Sequence, residues 1–160
     1  MPNDNLPPVE TFDDPETSGP DGGGSGDYVL DSQVGYLLRR ATQRHLAIFA
    51  AHIPGLTPRQ FAALARLCTQ GAQSQNALGR ATAMDAATIK GVIDRLRAKG
   101  LVTARRDRMD RRRVVLEPTA AGRDAFAAAT APAHRVTAET LAPLSLGERK
   151  TLVALLSRLG

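Results

Sequence analysis

With 160 residues, 42% of them apolar, the chain is long enough for one compact domain and an appended segment. Trp is absent and aromatics make up only 4%, so the core must come from Leu, Val, Ile and Ala, a helix-leaning palette. No apolar run approaches the roughly 18 residues of a membrane span. The N-terminus lacks the charged-then-apolar pattern of a secretory leader. A single cysteine, Cys68, excludes an internal disulfide framework and agrees with a reducing compartment, so the cytoplasm is the expected location.

The net charge of +5 is unevenly spread. Residues 1–27 hold seven acids and no Lys or Arg, which leaves 21 bases against nine acids, a net +12, for residues 28–160. A folded part that basic points to a polyanionic partner, most often nucleic acid. The first 27 residues are rich in Pro, Gly, Asp and Ser and cannot bury enough apolar surface to offset their ordering entropy, so they are expected to form a disordered acidic tail.

A first helix is expected from Tyr28 or Asp31 to Ile53, where Pro54-Gly55 stops it. Its apolar stripe runs through Val34, Leu37, Leu38, Ala41, Ile48 and Phe49, with His45 and His52 on the same line. Thr57-Pro58-Arg59-Gln60 then opens a second helix with a capping box and Pro in the first turn. Its expected buried face is Phe61, Leu64, Ala65 and Cys68, and Gly71 ends it. Ser74 caps a short third helix reaching about Ala81, buried through Ala77 and Leu78.

Asp85 caps a fourth helix that runs to Lys99 and ends at Gly100. Ile89, Val92, Ile93 and Leu96 form its inner face, which leaves Ala87, Thr88, Lys90, Gly91, Asp94 and Arg95 outward. The period then changes to strands at Leu101 to Arg106 and Arg113 to Glu117, around a turn at Asp107 to Arg112. Pro118-Thr119 opens a fifth helix with Phe126, Ala129, Ala133, Val136 and Leu141 along one side, and Pro132 should kink or interrupt it. Ser145-Leu146-Gly147-Glu148 is another capping box, starting a sixth helix with Leu152, Val153, Leu156 and Leu159 inward.

Three short helices followed by a β-hairpin is the order of a winged helix-turn-helix. On the fourth helix, Ala87 and Gly91 are small enough to let its backbone approach base edges. Thr88 can bond a base, while Lys90 and Arg95 can meet guanine or phosphate. Ser74, Gln75 and Asn76 place free N–H groups of the third helix where a phosphate would sit. The hairpin tip carries Arg105, Arg106, Arg108, Arg111, Arg112 and Arg113, a self-repulsion that only an anion relieves. Asp110 is placed to orient a neighbouring guanidinium, Arg112 first, for a narrow minor groove.

These stretches resemble the MarR family of bacterial regulators over roughly residues 30–160. The matching motifs are Leu56-Thr57-Pro58-Arg59-Gln60-Phe61, Thr88 to Leu96, Gly100-Leu101-Val102, the wing Asp110-Arg111-Arg112-Arg113, and Thr119-Ala120-Ala121-Gly122. Pro118 departs from the pattern, where the family has Leu or Ile, which leaves the exit of the second strand open. The resemblance implies a mainly helical fold with a small β-hairpin wing. The winged helix-turn-helix would span 56–118, with dimerisation helices at 28–55 and 119–160. It implies a homodimer on a pseudo-palindromic duplex operator, with no cofactor and no metal. It also implies a repressor released by a small aromatic carboxylate bound between the first, second and fifth helices and the wing base. His45 is the main candidate ligand residue, its alternative role being a core or interface histidine, with Arg39 six residues before it and Phe61 nearby. His52 is a further candidate whose place near the helix end suits capping or a dimer contact better. Tyr36-Leu37-Leu38-Arg39-Arg40-Ala41 is similar to the aromatic and nicotinate catabolism branch.

Rival readings make Cys68 a redox sensor or His45, His52 and His134 a zinc site. The inward position of Cys68 argues against the first, and the seven-residue spacing of His45 and His52 against the second. A non-specific architectural DNA protein is a further alternative. No phosphate loop, nucleophile elbow or paired-carboxylate motif suggests an enzyme.

Overall fold

The computed structural model describes residues 28–107, 110, 112 and 114–159. After a 3-10 turn at Leu30–Ser32, the order is α1 (Val34–His52), α2 (Pro58–Gln70), α3 (Gln75–Ala81), α4 (Ala86–Ala98), β1 (Val102–Arg106), β2 (Val114–Pro118), α5 (Ala120–Thr140) and α6 (Leu146–Leu159). The expected disorder of residues 1–27 lies outside the described residues.

Local capping chemistry sets most helix starts. Thr57 Oγ1 accepts from the N–H of Gln60 while the Thr57 N–H donates to Gln60 Oε1, closing the capping box. Ser74, Asp85 and Thr119 each accept an N–H three residues on. At α6 the Glu148 carboxylate accepts from both the N–H and hydroxyl of Ser145. Those bonds hold the Glu148 carboxyl below its usual pKa.

Two apolar clusters result. One joins α2, α3, α4 and the hairpin through Leu64, Leu67, Leu78, Ile89, Ile93, Leu96, Val102 and Leu116. The other joins α1 and α5 through Phe49, Ile53, Ala129 and Val136, and Leu56 packs against both. The α4 inner face is as expected, with Ile89, Val92, Ile93 and Leu96 all buried. On α2 the expected face is corrected: Gln60, Ala63, Leu64 and Leu67 are buried, while Phe61, Ala65 and Cys68 lie half-buried on its flank. The stripe is shifted because α2 is covered by α4, α5 and β2 together, not from one side. In α3 the buried pair is Leu78 and Gly79, with Ala77 half-buried.

The hairpin pairs Val102 with Pro118 and Arg106 with Val114, so the second strand includes Pro118. Proline is tolerated there because it ends an edge strand, and its carbonyl accepts from Arg123. A short bridge that the sequence analysis lacks ties the wing to the start of α3: Gln73 and Leu116 exchange both backbone hydrogen bonds. Pro132 does not interrupt α5, which runs unbroken through it. It removes one donor, and the packing of Ala129 and Val136 on Phe49 and Ile53 outweighs that loss.

Helix α6 departs most from expectation. None of its described residues is buried, and Val153, Leu156 and Leu159 are 55%, 43% and 75% exposed. Tyr28, Val29, Leu30, Val34, Leu37 and Leu38 at the other end are similarly exposed. One protomer therefore leaves apolar faces on α1 and α6 without a partner.

Candidate DNA-binding surface and effector site

The outward side of α4 is as its sequence requires, since its apolar side is wholly consumed by the core. Ala87, Lys90 and Arg95 are exposed, and Thr88 and Gly91 half-exposed. A Cβ added at Gly91 would meet nothing within 4 Å, so the helix surface is open there. Thr88 donates its hydroxyl proton to Asp85 Oδ2 at 3.0 Å, and its N–H goes to Oδ1 at 2.7 Å. Its oxygen is thus left to accept, which suits the exocyclic amine of adenine or cytosine and narrows the either-way role expected. These bonds also hold the Asp85 carboxyl below its usual range.

Lys90 is paired with Asp94 at 2.8 Å, one turn along, so it reaches DNA only by sharing or leaving that partner. Arg95 stands beside Thr88 and Gly91 on a recess of ≈ 770 Å³ that Thr42, Leu46 and Arg59 line from α1 and α2. Arg59 is thus a cation beside α4 that no local sequence signal marks, since its neighbours Thr57 and Gln60 serve the start of α2. At α3, Ser74 spends its hydroxyl on the Ala77 N–H, Asn76 is exposed and Gln75 half-buried.

The arginines of the hairpin divide. Arg105 is paired with Glu117, whose Oε2 accepts its Nε–H at 2.6 Å across the strands. Asp110 accepts the backbone N–H of Arg112 at 2.9 Å. It therefore shapes the turn through the main chain; the expected orienting of a guanidinium is not what this bond does. Arg112 is exposed, while Arg108, Arg111 and Arg113 lie outside the described residues. Replacing Arg112 with Ala removes a cation without removing the turn bond, which uses the main chain. The mutant should melt like the wild type, bind DNA about tenfold more weakly, and show a salt slope smaller by about one in anisotropy titrations.

The candidate effector residues assemble in part. His45 is half-buried, with Nδ1 3.1 Å from Thr140 Oγ1 at the end of α5. From it an aromatic column runs inward, His45 to Phe49 at 6.3 Å, Phe49 to Phe61 at 6.0 Å and Phe61 to Phe126 at 6.0 Å between ring centroids. His52 is bound to Glu139 at 2.7 Å, and Arg44 donates to the Glu139 carbonyl. His52 thus fastens α1 to α5. Arg39 is exposed with its guanidinium 5.2 Å above the Tyr36 ring, against its own helix. The structure brings His45 and Phe61 to one column and leaves Arg39 apart within the protomer. Thr140 and Phe126 were missed because they lie far along the chain, and nothing local marks them.

Cys68 is half-buried and burial raises its thiol pKa, which disfavours the reactive thiolate. Among the described residues no group of three His, Cys, Asp or Glu is placed to hold a metal ion. Among them, too, no helix is long and apolar enough to cross a membrane.

A capped three-helix unit with a paired hairpin and an open, basic fourth helix defines a winged helix-turn-helix protein. The family model for the MarR family matches residues 55–113. The chain is 40% identical over 134 residues to the HTH-type transcriptional repressor NicR of Pseudomonas putida, covering 82% of this chain and 85% of that one. A probable transcriptional regulator from Pseudomonas aeruginosa superposes with a TM-score of 0.80 at 50% identity, over 82% of this chain and 100% of the other. Bordetella bronchiseptica BpsR, whose structure concerns regulation of DNA binding by 6-hydroxynicotinic acid, gives a TM-score of 0.79 at 43% identity, over 84% and 97%. The chain belongs to the MarR family of transcriptional regulators.

Proposed function

We propose that this protein is a cytoplasmic, non-enzymatic repressor that holds a pseudo-palindromic duplex operator as a homodimer and releases it when a hydroxylated nicotinate or benzoate binds. In this reading residues 28–55 and 119–160 dimerise, 56–118 read DNA and 1–27 form a tail. The observation that carries the reading is the α4 surface: an uncharged, low patch at Ala87 and Gly91 flanked by Thr88, Lys90 and Arg95, with Ile89, Val92, Ile93 and Leu96 turned inward. Ser74, Gln75 and Asn76 would meet phosphate, and Arg108, Arg111 and Arg112 the adjacent groove. The unpartnered apolar faces of α1 and α6 support dimerisation, because an isologous contact covers both copies at once.

For the effector, the support is the similarity to BpsR and NicR together with the His45 column. With Nδ1 turned to Thr140, the His45 Nε2 is the nitrogen left for a carboxylate or phenol, and Phe49 and Phe61 supply the apolar wall. Arg39 takes part only if dimer formation or ligand draws it off Tyr36. The test is a titration of 6-hydroxynicotinate into protein bound to an operator duplex recovered from a randomised pool. The wild-type chain should release the duplex. His45→Ala should bind it within a few-fold of wild type but need at least about tenfold more ligand for release, the loss expected for one hydrogen bond to a charged group. Equal ligand sensitivity in the mutant would place the pocket elsewhere.

A further inference from the structure

We propose that Lys99 is a positioning residue for operator reading, a strut that sets the recognition helix against the dimerisation helix. The inference rests on the DNA-binding reading above. Helix α4 packs on α2, α3 and β1, while α1 packs on α5. The α1 C-terminal end and the α4 C-terminal end face each other across a recess of ≈ 770 Å³, floored by Ala50, Ile53, Leu56 and Ala98. Lys99, the residue that caps α4, crosses that recess. Its Nζ donates to the Gly55 carbonyl at 2.6 Å and to Gln60 Oε1 at 3.4 Å.

Both acceptors sit at the α1–α2 corner. Gly55 belongs to the Pro54-Gly55 turn that ends α1; it has no side chain of its own to pack, while Ile53 and Leu56 on either side of the turn face the apolar clusters. Gln60 is 4% exposed, and its Oε1 also accepts the Thr57 N–H that closes the capping box. The Lys99 ammonium is therefore bonded both to the main chain of the turn and to a buried side chain of α2. A charge-assisted bond to a carbonyl is stronger than a neutral one, and a cation at a helix C-terminus is favoured by the helix dipole.

The consequence lies in dimer geometry. Two recognition helices must meet half-sites about one helical turn apart, and the path from the dimer seam to α4 on the α1 side runs through this corner. A looser corner spreads the spacing of the two helices. Specific binding, which needs one spacing, weakens; non-specific binding, which follows phosphate charge, does not.

The experiment compares wild type, Lys99→Met and Lys99→Arg on a selected operator duplex and a scrambled duplex of equal length, over a range of salt, with melting temperatures alongside. Lys99→Met should lower the ratio of operator to scrambled affinity about tenfold, while scrambled affinity, salt slope and melting temperature hold. Lys99→Arg, which keeps a donor, should retain most of the ratio. An equal loss on both duplexes with a slope smaller by about one would make Lys99 a phosphate contact and overturn the proposal. An unchanged ratio in Lys99→Met overturns it as well, as does a loss on both duplexes that tracks a fall in melting temperature. A wild-type chain that binds both duplexes alike defeats operator reading itself, which is a separate failure.

Discussion

Gly122→Ala should destabilise the fold by about 2 kcal/mol or more, lowering the melting temperature by roughly 5 °C or more. A Cβ at this buried position would lie 2.0 Å from the Leu101 carbonyl oxygen, which is backbone and cannot swing aside. The contact is close because Thr119 holds it so. Its N–H donates to the Leu101 carbonyl at 3.0 Å, its hydroxyl to the Gly100 carbonyl at 2.7 Å, and its Oγ1 accepts from the Gly122 N–H at 3.0 Å. The Thr119-Ala-Ala-Gly122 motif thus caps α5 and docks its first turn on the α4–β1 corner. Only a residue without a side chain fits at Gly122, the fourth position. The exposed neighbour Ala121 is the control: Ala121→Ser should melt within about 0.5 kcal/mol of wild type. An unshifted thermal melt for Gly122→Ala would show that the corner opens at little cost and that the motif is not a clamp.

The second large effect is on function alone. Gly91→Glu should abolish operator binding, by about a hundredfold or more, while the melting temperature stays or rises. Nothing lies within 4 Å of the Cβ it adds, and replacing a mid-helix glycine gains roughly 0.5–1 kcal/mol of helix propensity. Yet a carboxylate would stand on the helix surface between Thr88 and Arg95, where phosphates and base edges must approach. Gly91→Ala separates size from charge: it should bind within about tenfold of wild type and melt higher. Retained operator affinity in Gly91→Glu would remove this face of α4 from the groove.

Single-chain reading determined what short-range chemistry controls. The capping boxes at Thr57 and Ser145, the caps at Ser74, Asp85 and Thr119, and the α4 inner face all rest on spacings of three or four residues, so each is written where it acts. The outward recognition face follows by subtraction. Tertiary structure decided whatever depends on residues distant in sequence. His45 meets Thr140 across 95 positions, and Gly122 matters only because Leu101 folds back onto it. Pro132 stays helical through packing that no propensity contains. Arg105, one of six apparently equivalent arginines, is claimed by Glu117 because the hairpin register sets them within reach. The α6 stripe, read as inward, has no inward in a single protomer: periodicity specifies that a face is buried, and only the arrangement of helices specifies against what.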